Sequence, residues 1–153
     1  MYNSSVERED ATAGKIVGGR KNAGCCFTVQ HQGVRSLKTP KIEVWENQYP
    51  DKAYTIKIET PEFTCICPKT GLPDFADIVI EYSPRKFCVE LKSFKMYTIF
   101  FRNVGIFHEH FTNRILEDLV RACSPRWAKI TAVVNPRGGI TTTVIREYKA
   151  KWK

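Results

Sequence analysis

From Tyr54 onward, apolar and polar residues alternate. Tyr54, Ile56 and Ile58 fall on one side, and Thr55, Lys57 and Glu59 on the other. A period of two predicts a half-buried strand, which Pro61 is expected to end. A loop, FTCICPKTGLPDF (Phe63–Phe75), follows, and the alternation resumes over Phe75–Tyr82 with Ile78, Ile80 and Tyr82 on one face. Ser83-Pro84-Arg85-Lys86 reads as a turn. Phe87–Leu91 then reads as a third strand, forming a hairpin with the second. The period next changes. Lys92–Phe101 is mixed apolar and basic, while Phe107, Phe111, Ile115, Leu119 and Cys123 recur every fourth residue as the stripe of an amphipathic helix. Ser124-Pro125 is expected to stop that helix. Ile130–Val134 and Ile140–Glu147 are two further strands, joined through Asn135–Gly139. The order is ββααββ, an α+β domain with an antiparallel sheet and two helices on one face. Residues 1–40 show little periodicity and are read as an N-terminal arm, with room for one strand at Cys25–Val29; residues 41–153 form the domain.

Composition narrows the class. A chain of 153 residues is one domain by length. No apolar run reaches the roughly 18–20 residues of a membrane span. The N-terminal MYNSSVERED lacks the basic-then-apolar order of a secretory signal. The six cysteines are therefore expected to be reduced thiols of a cytoplasmic protein, not a disulfide framework. The excess of 24 basic over 16 acidic residues, a formal +8, favours an anionic partner such as nucleic acid or a phosphate-bearing cofactor.

Within the quoted loop, Cys67 precedes Pro68, and Gly71 and Pro73 fold the chain back towards Asp74. A free cysteine is most often a buried, inert residue. A thiol with a carboxyl beside it suits a different chemistry, in which sulfur adds to a polarised multiple bond while the acid delivers a proton. Cys65, Cys67, His108 and His110 form a competing zinc set. Against it, Cys-x-Cys is tight, and residues two apart on a helix point about 200° from each other. Cys25, Cys26 and Cys88 have no interpretable spacing. His108-Glu109 opens the second helix, where an acidic residue is favoured by the dipole alone. Lys92 and Lys95 share a helix face, and Arg137-Gly138-Gly139 offers a guanidinium beside open backbone; each suits a phosphate, or simply solvated surface.

Four segments in order resemble one family. ELKSFKMY (Glu90–Tyr97) is similar to the signature of the NADPH-dependent nitrile reductases known as QueF, with Met96 its one mild departure. PEFTCICPKTGLPDFA, FRNVGIFHEH and PRGG lie around it as in that family, so that the resemblance covers roughly residues 41–153. It implies the tunnelling fold (T-fold), whose members form rings and bind purine- or pterin-like bases between subunits. It further implies reduction of the nitrile of 7-cyano-7-deazaguanine to 7-aminomethyl-7-deazaguanine, a step of queuosine biosynthesis in tRNA modification. NADPH is the implied reductant, with no metal, no membrane and no direct nucleic-acid contact. By that resemblance Cys67 is the nucleophile and Asp74 the proton donor. Val89, Glu90, Leu91, His108 and Glu109 hold the substrate, and Lys92, Lys95, Arg137 and Gly138 take the cofactor. The alternatives are a zinc-dependent T-fold enzyme acting on a pterin or GTP, a non-catalytic tRNA-binding module, and an amidinotransferase-like relative using the same cysteine. The signature at 90–97 argues against the last.

Overall fold

The computed structural model describes residues 28–29 and 33–151. The reading of residues 1–27 lies outside them, except that a short β1 (Thr28–Val29) falls within the apolar patch expected to hold a strand. Two antiparallel hairpins form the centre of the structure. β3 (Ile56–Ile66) pairs with β4 (Pro73–Ser83), and β7 (Trp127–Arg137) with β8 (Ile140–Lys149). β4 and β7 join them, and β6 (Val104–Gly105) with β1 extends the sheet beyond β3 to give the order β1-β6-β3-β4-β7-β8. The β7–β8 turn is the pair Gly138-Gly139, with φ of 58° and 79°. Two consecutive positive φ values make the tight hairpin turn that matches strand twist, and glycine adopts them without strain.

Pro61 does not end the first hairpin strand. β3 runs through it, and the register shifts between Thr60 and Phe63. The bulge absorbs a residue that has no N–H to give to the ladder. The expected pairing of the third strand with the second is also incorrect. β5 (Phe87–Val89) pairs with β2 (Val44–Glu46) in a separate two-stranded sheet. β4 already has β3 on one side (Ile56↔Tyr82) and β7 on the other (Ser83↔Trp127), so no edge of it is left.

Both helices cover one face of the large sheet. α1 (Leu91–Phe100) begins at Glu90, whose carboxylate accepts from the Lys92 and Ser93 N–H groups at 2.8 and 2.6 Å. A side chain that satisfies orphan donors in this way fixes where a helix starts. α2 (His108–Cys123) ends at Ser124, in the left-handed conformation with φ 44°, its N–H donating to Val120. Phe111, Ile115, Leu116 and Leu119 of α2 are buried against Ala76, Ile78, Ile80, Ile130 and Ala132 of the sheet. Phe63 packs on Phe111 with ring centroids 4.5 Å apart. At the far side of α2, buried Asp118 accepts from Tyr97, Arg114 and Arg121 at 2.8, 2.7 and 2.6 Å. Arg114 also donates to the carbonyls of Val34 and Leu37, which fastens residues 34–37 to the helix. Leaving one partner of such a buried pair alone costs about 3–5 kcal/mol. No helix among the described residues is long and apolar enough to cross a membrane.

Candidate active site

The β3–β4 hairpin places the cysteine and the aspartate together. Cys65 lies opposite Asp74 in the ladder, and the chain turns immediately beyond, with Cys67 N–H donating to Leu72 O at 2.8 Å and Gly71 N–H to Cys67 O at 2.9 Å. Gly71, at φ 70°, makes this turn possible. Cys67 is two residues beyond Cys65 and so projects to the same face of the sheet as Asp74. α2 starts over this end and adds His108, whose Nε2 is 3.2 Å from Asp74 Oδ2. From the end of β7, Arg137 reaches back to form an ion pair with Asp74 Oδ1 and donates to Thr70 Oγ1 at 3.1 Å. Asp74 is thus a carboxylate only 3% exposed, held between a guanidinium and an imidazole.

A cleft of about 350 Å³ opens on this cluster. Cys67, Thr70, Asp74, His108 and Arg137 supply its polar side, while Ile106, Phe107, Val134 and Ile140 supply an apolar wall. A slot with few polar groups on an apolar wall suits a flat heteroaromatic ring with one reacting substituent.

The thiols at this end differ sharply. Partial burial alone pushes the Cys67 thiol up. Hydrogen bonds from the Thr70 hydroxyl, the Thr70 and Lys69 backbone N–H groups and Arg137 outweigh that and bring it below its ordinary value. Successive backbone N–H groups aimed at one atom form an anion-binding concavity. Cys65, by contrast, is pushed up to about 12, chiefly by burial and then by the charge of Asp74. Burial also pushes Cys123 up to about 12. Thiolate character therefore favours Cys67 over these two.

The remaining site residues of the sequence reading do not all meet here. Glu109 is exposed on the first turn of α2, beside the cleft but not lining it. Val89, Glu90 and Leu91 lie at the opposite end of the sheet, where Val89 N–H donates to Tyr82 Oη at 3.0 Å. From Asp74 to Tyr82, β4 advances about 26 Å, so one subunit does not join these residues to Cys67. Lys92 and Lys95 are exposed on α1, outside every ion pair among the described residues. Arg137, expected with them at the cofactor, forms its ion pair with Asp74. Gly138 serves the hairpin turn that aims Arg137. Sequence reasoning missed Thr70 and Phe107. A Lys-Thr-Gly turn gives Thr70 no distinguishing pattern, and the spacing of Phe107 fits the helix stripe equally well. Among the described residues no group of three or more His, Cys, Asp or Glu is placed to hold a metal ion, and His110 borders a different cleft with Asn113 and Arg146. That second cleft, about 570 Å³ between Gly33–Arg35 and α2, contains His110 but none of the residues assigned to the nucleophile, substrate or cofactor.

Comparison with known proteins points to one family. A family model described as "QueF-like protein" matches residues 73–153. The NADPH-dependent 7-cyano-7-deazaguanine reductase of Chloroherpeton thalassium is 56% identical over 115 residues, which cover 75% of this chain and 99% of that protein. The enzyme of the same name from Chlorobaculum tepidum is 59% identical over 107 residues, covering 70% of this chain and 92% of the relative. The chain belongs to the QueF family. A crystal structure of the archaeosine synthase QueF-Like in its apo form aligns with a TM-score of 0.59 at 24% identity, over 63% of this chain and 95% of that one. At that identity the likeness is one of fold. It extends the α+β arrangement to a second QueF-like protein.

Proposed function

We propose that this chain reduces the nitrile of 7-cyano-7-deazaguanine to the primary amine with NADPH, through a covalent adduct on Cys67. The observation that carries the reading is the cluster itself: in a QueF-family chain, a thiol with lowered pKa shares a cleft with a buried carboxylate that contacts His108 and Arg137. The Cys67 thiolate attacks the nitrile carbon. A C–S bond forms, the π pair moves to nitrogen, and the proton held by the Asp74–His108 pair neutralises it, giving a thioimide. NADPH, when bound, supplies two hydrides in succession, one per molecule. After the first hydride the C–S bond breaks and the thiolate leaves with its electron pair, so that imine and then amine form with uptake of two protons in all. Lys92 and Lys95, exposed one turn apart on α1, fit the role of phosphate contacts.

The site is completed by a second copy. Among the described residues the sheet leaves two edges unpaired, β8 on one side and most of β3 on the other, where β6 pairs with β3 only through Ile66. Unpaired edges are templates for strand addition, and β8 of one copy runs antiparallel to β3 of the next. The sheet face away from the helices carries exposed Phe75, Val133 and Ile145, which such an assembly covers. Head-to-tail addition yields the ring of the T-fold. That addition keeps the strand ends aligned, so Val89, Glu90 and Leu91 reach Cys67 only from a further copy stacked end to end on the ring; Glu90 of that copy and Glu109 beside the cleft are the carboxylates that hold the guanine-like edge.

NADPH oxidation by the purified protein, with and without the nitrile, tests the reaction. Nitrile-dependent consumption of two NADPH per amine is expected; no consumption by a folded oligomer overturns it. Mixed assembly tests the shared site. Cys67→Ala and Glu90→Gln subunits, each inactive alone, are expected to regain activity when dissociated and reassembled together. Absence of recovery in reassembled oligomers removes the two-subunit site.

A further inference from the structure

α1 and the unpaired edge of β3 enclose a further cleft, of about 410 Å³, which none of the residues around Cys67 lines. Thr64 and Phe75, partners in the ladder, bound it from the sheet, while Thr98, Ile99 and Arg102 bound it from α1 and the turn that continues it. Thr64 is only 8% exposed, and among the described residues its hydroxyl has no hydrogen-bond partner. A hydroxyl shielded from water costs free energy until something bonds it, so a ligand that fills the cleft has to supply that bond. Lys95, Thr98, Ile99 and Arg102 follow at i, i+3, i+4 and i+7, one face of a helix. Both cations are exposed and stand outside every ion pair among the described residues. Thr98 donates to the Lys95 carbonyl at 2.9 Å, which leaves its oxygen only to accept. From β3, Glu62 adds a single carboxylate and Pro61 an apolar surface. Pro61 has no N–H and the register shifts beside it, so this stretch of the edge is a poor template for an added strand.

We infer that this cleft takes the 2′-phosphoadenosine half of NADPH, with Arg102 and Lys95 on the 2′-phosphate and the Thr64 hydroxyl as a further donor. The inference rests on the reading of this chain as an NADPH-dependent reductase and says where the far end of the cofactor goes. The side chains present fit that group. Two cations suit a dianionic phosphate, and a guanidinium grips one through paired N–H groups. A carboxylate beside them disfavours a bare anion but accepts from a ribose hydroxyl. Phe75 and Ile99 offer apolar surface to a flat base. The nicotinamide has to meet the carbon bound to Cys67, so the adenosine end is the one left for a cleft without the residues of that site. Arg102 thereby becomes a specificity residue, because it contacts the one group that NADPH has and NADH lacks.

Calorimetric titration of the purified protein with NADP⁺ and with NAD⁺ reads binding without turnover. Arg102→Gln is expected to weaken NADP⁺ about ten- to hundredfold, the scale of a hydrogen bond to a charged group, and to leave NAD⁺ as in wild type. Arg102→Lys keeps the charge but loses the paired N–H groups; it is expected to fall between the two, and serves if Gln does not fold. Thr64→Val keeps a branched strand residue and is expected to weaken NADP⁺ by up to about tenfold. Alkylation of Cys67 by iodoacetamide, followed across pH by mass spectrometry, is expected to keep its wild-type midpoint in these variants, so that a loss of affinity is not a loss of fold. Wild-type NADP⁺ affinity in folded Arg102→Gln overturns the inference, whether or not the oligomer is weakened, as does an equal loss with NAD⁺. A wild-type protein that binds no NADP⁺ overturns the reductase reading, and the inference with it.

Discussion

Replacing Cys67 with alanine is expected to lower nitrile reduction by at least about four orders of magnitude, since no other group in the cleft can form the covalent bond on which the sequence of steps depends. Cys65 cannot substitute. It is 1% exposed, its Sγ lies 3.8 Å from the Ile106 carbonyl, and burial pushes its thiol up to about 12. Incubation of the wild-type protein with the nitrile alone is expected to add one substrate mass per subunit, mapped to the Cys67 peptide, and the alanine variant to add none. The pH dependence follows from the direction of the shift. A thiol lowered below its ordinary value is charged at lower pH, so adduct formation is expected to rise with pH and level off below the range of an ordinary cysteine. A rise that continues through the ordinary range contradicts the hydrogen-bonded thiolate. Turnover by folded Cys67→Ala ends the covalent mechanism.

The parts of this molecule that were legible in its sequence are those set by local pattern. The stripe from Phe107 to Cys123 gave α2 within a residue, because burial against a sheet demands that periodicity and Ser124 marks its end. That Cys67 and Asp74 line one cleft was legible because a short loop with Gly71 can do little except return the chain beside itself. What sequence did not show depends on contacts distant along the chain. β5 left the large sheet because both sides of β4 were occupied, one of them by a strand more than forty residues later. Pro61 was tolerated because β3 bulges there, which only its register with β4 reveals. Arg137 looked like an anion-binding residue on a glycine turn. Its partner proved to be a buried carboxylate on β4, brought near by sheet order and not by spacing. Likewise, the residues expected to share one pocket fall at both ends of one subunit, a separation that motif order along a chain cannot express.

Asp74→Asn is expected to reduce kcat by about two to four orders of magnitude, the range of a positioned general acid, while leaving the secondary structure and assembly intact. The substitution is isosteric. The amide oxygen still accepts from Arg137 or His108, but the side chain no longer accepts or releases a proton at neutral pH. Two consequences separate a proton-transfer role from a merely structural one. If Asp74 protonates the nitrile nitrogen, the thiolate of the variant still forms and alkylates, since Thr70 and the Lys69 and Thr70 N–H groups remain on the sulfur. Adduct formation and turnover with the nitrile then fall together. If Asp74 instead serves only to hold Arg137, its replacement frees the guanidinium, and the alkylation midpoint of Cys67 shifts along with the loss of turnover. Alkylation at a nearly wild-type midpoint with turnover lost is the expected result. It places the proton on the Asp74–His108 pair and separates that role from the lowering of the Cys67 thiol. Turnover within tenfold of wild type in Asp74→Asn assigns the proton to His108 or to water, and Asp74 is then reduced to an anchor for Arg137.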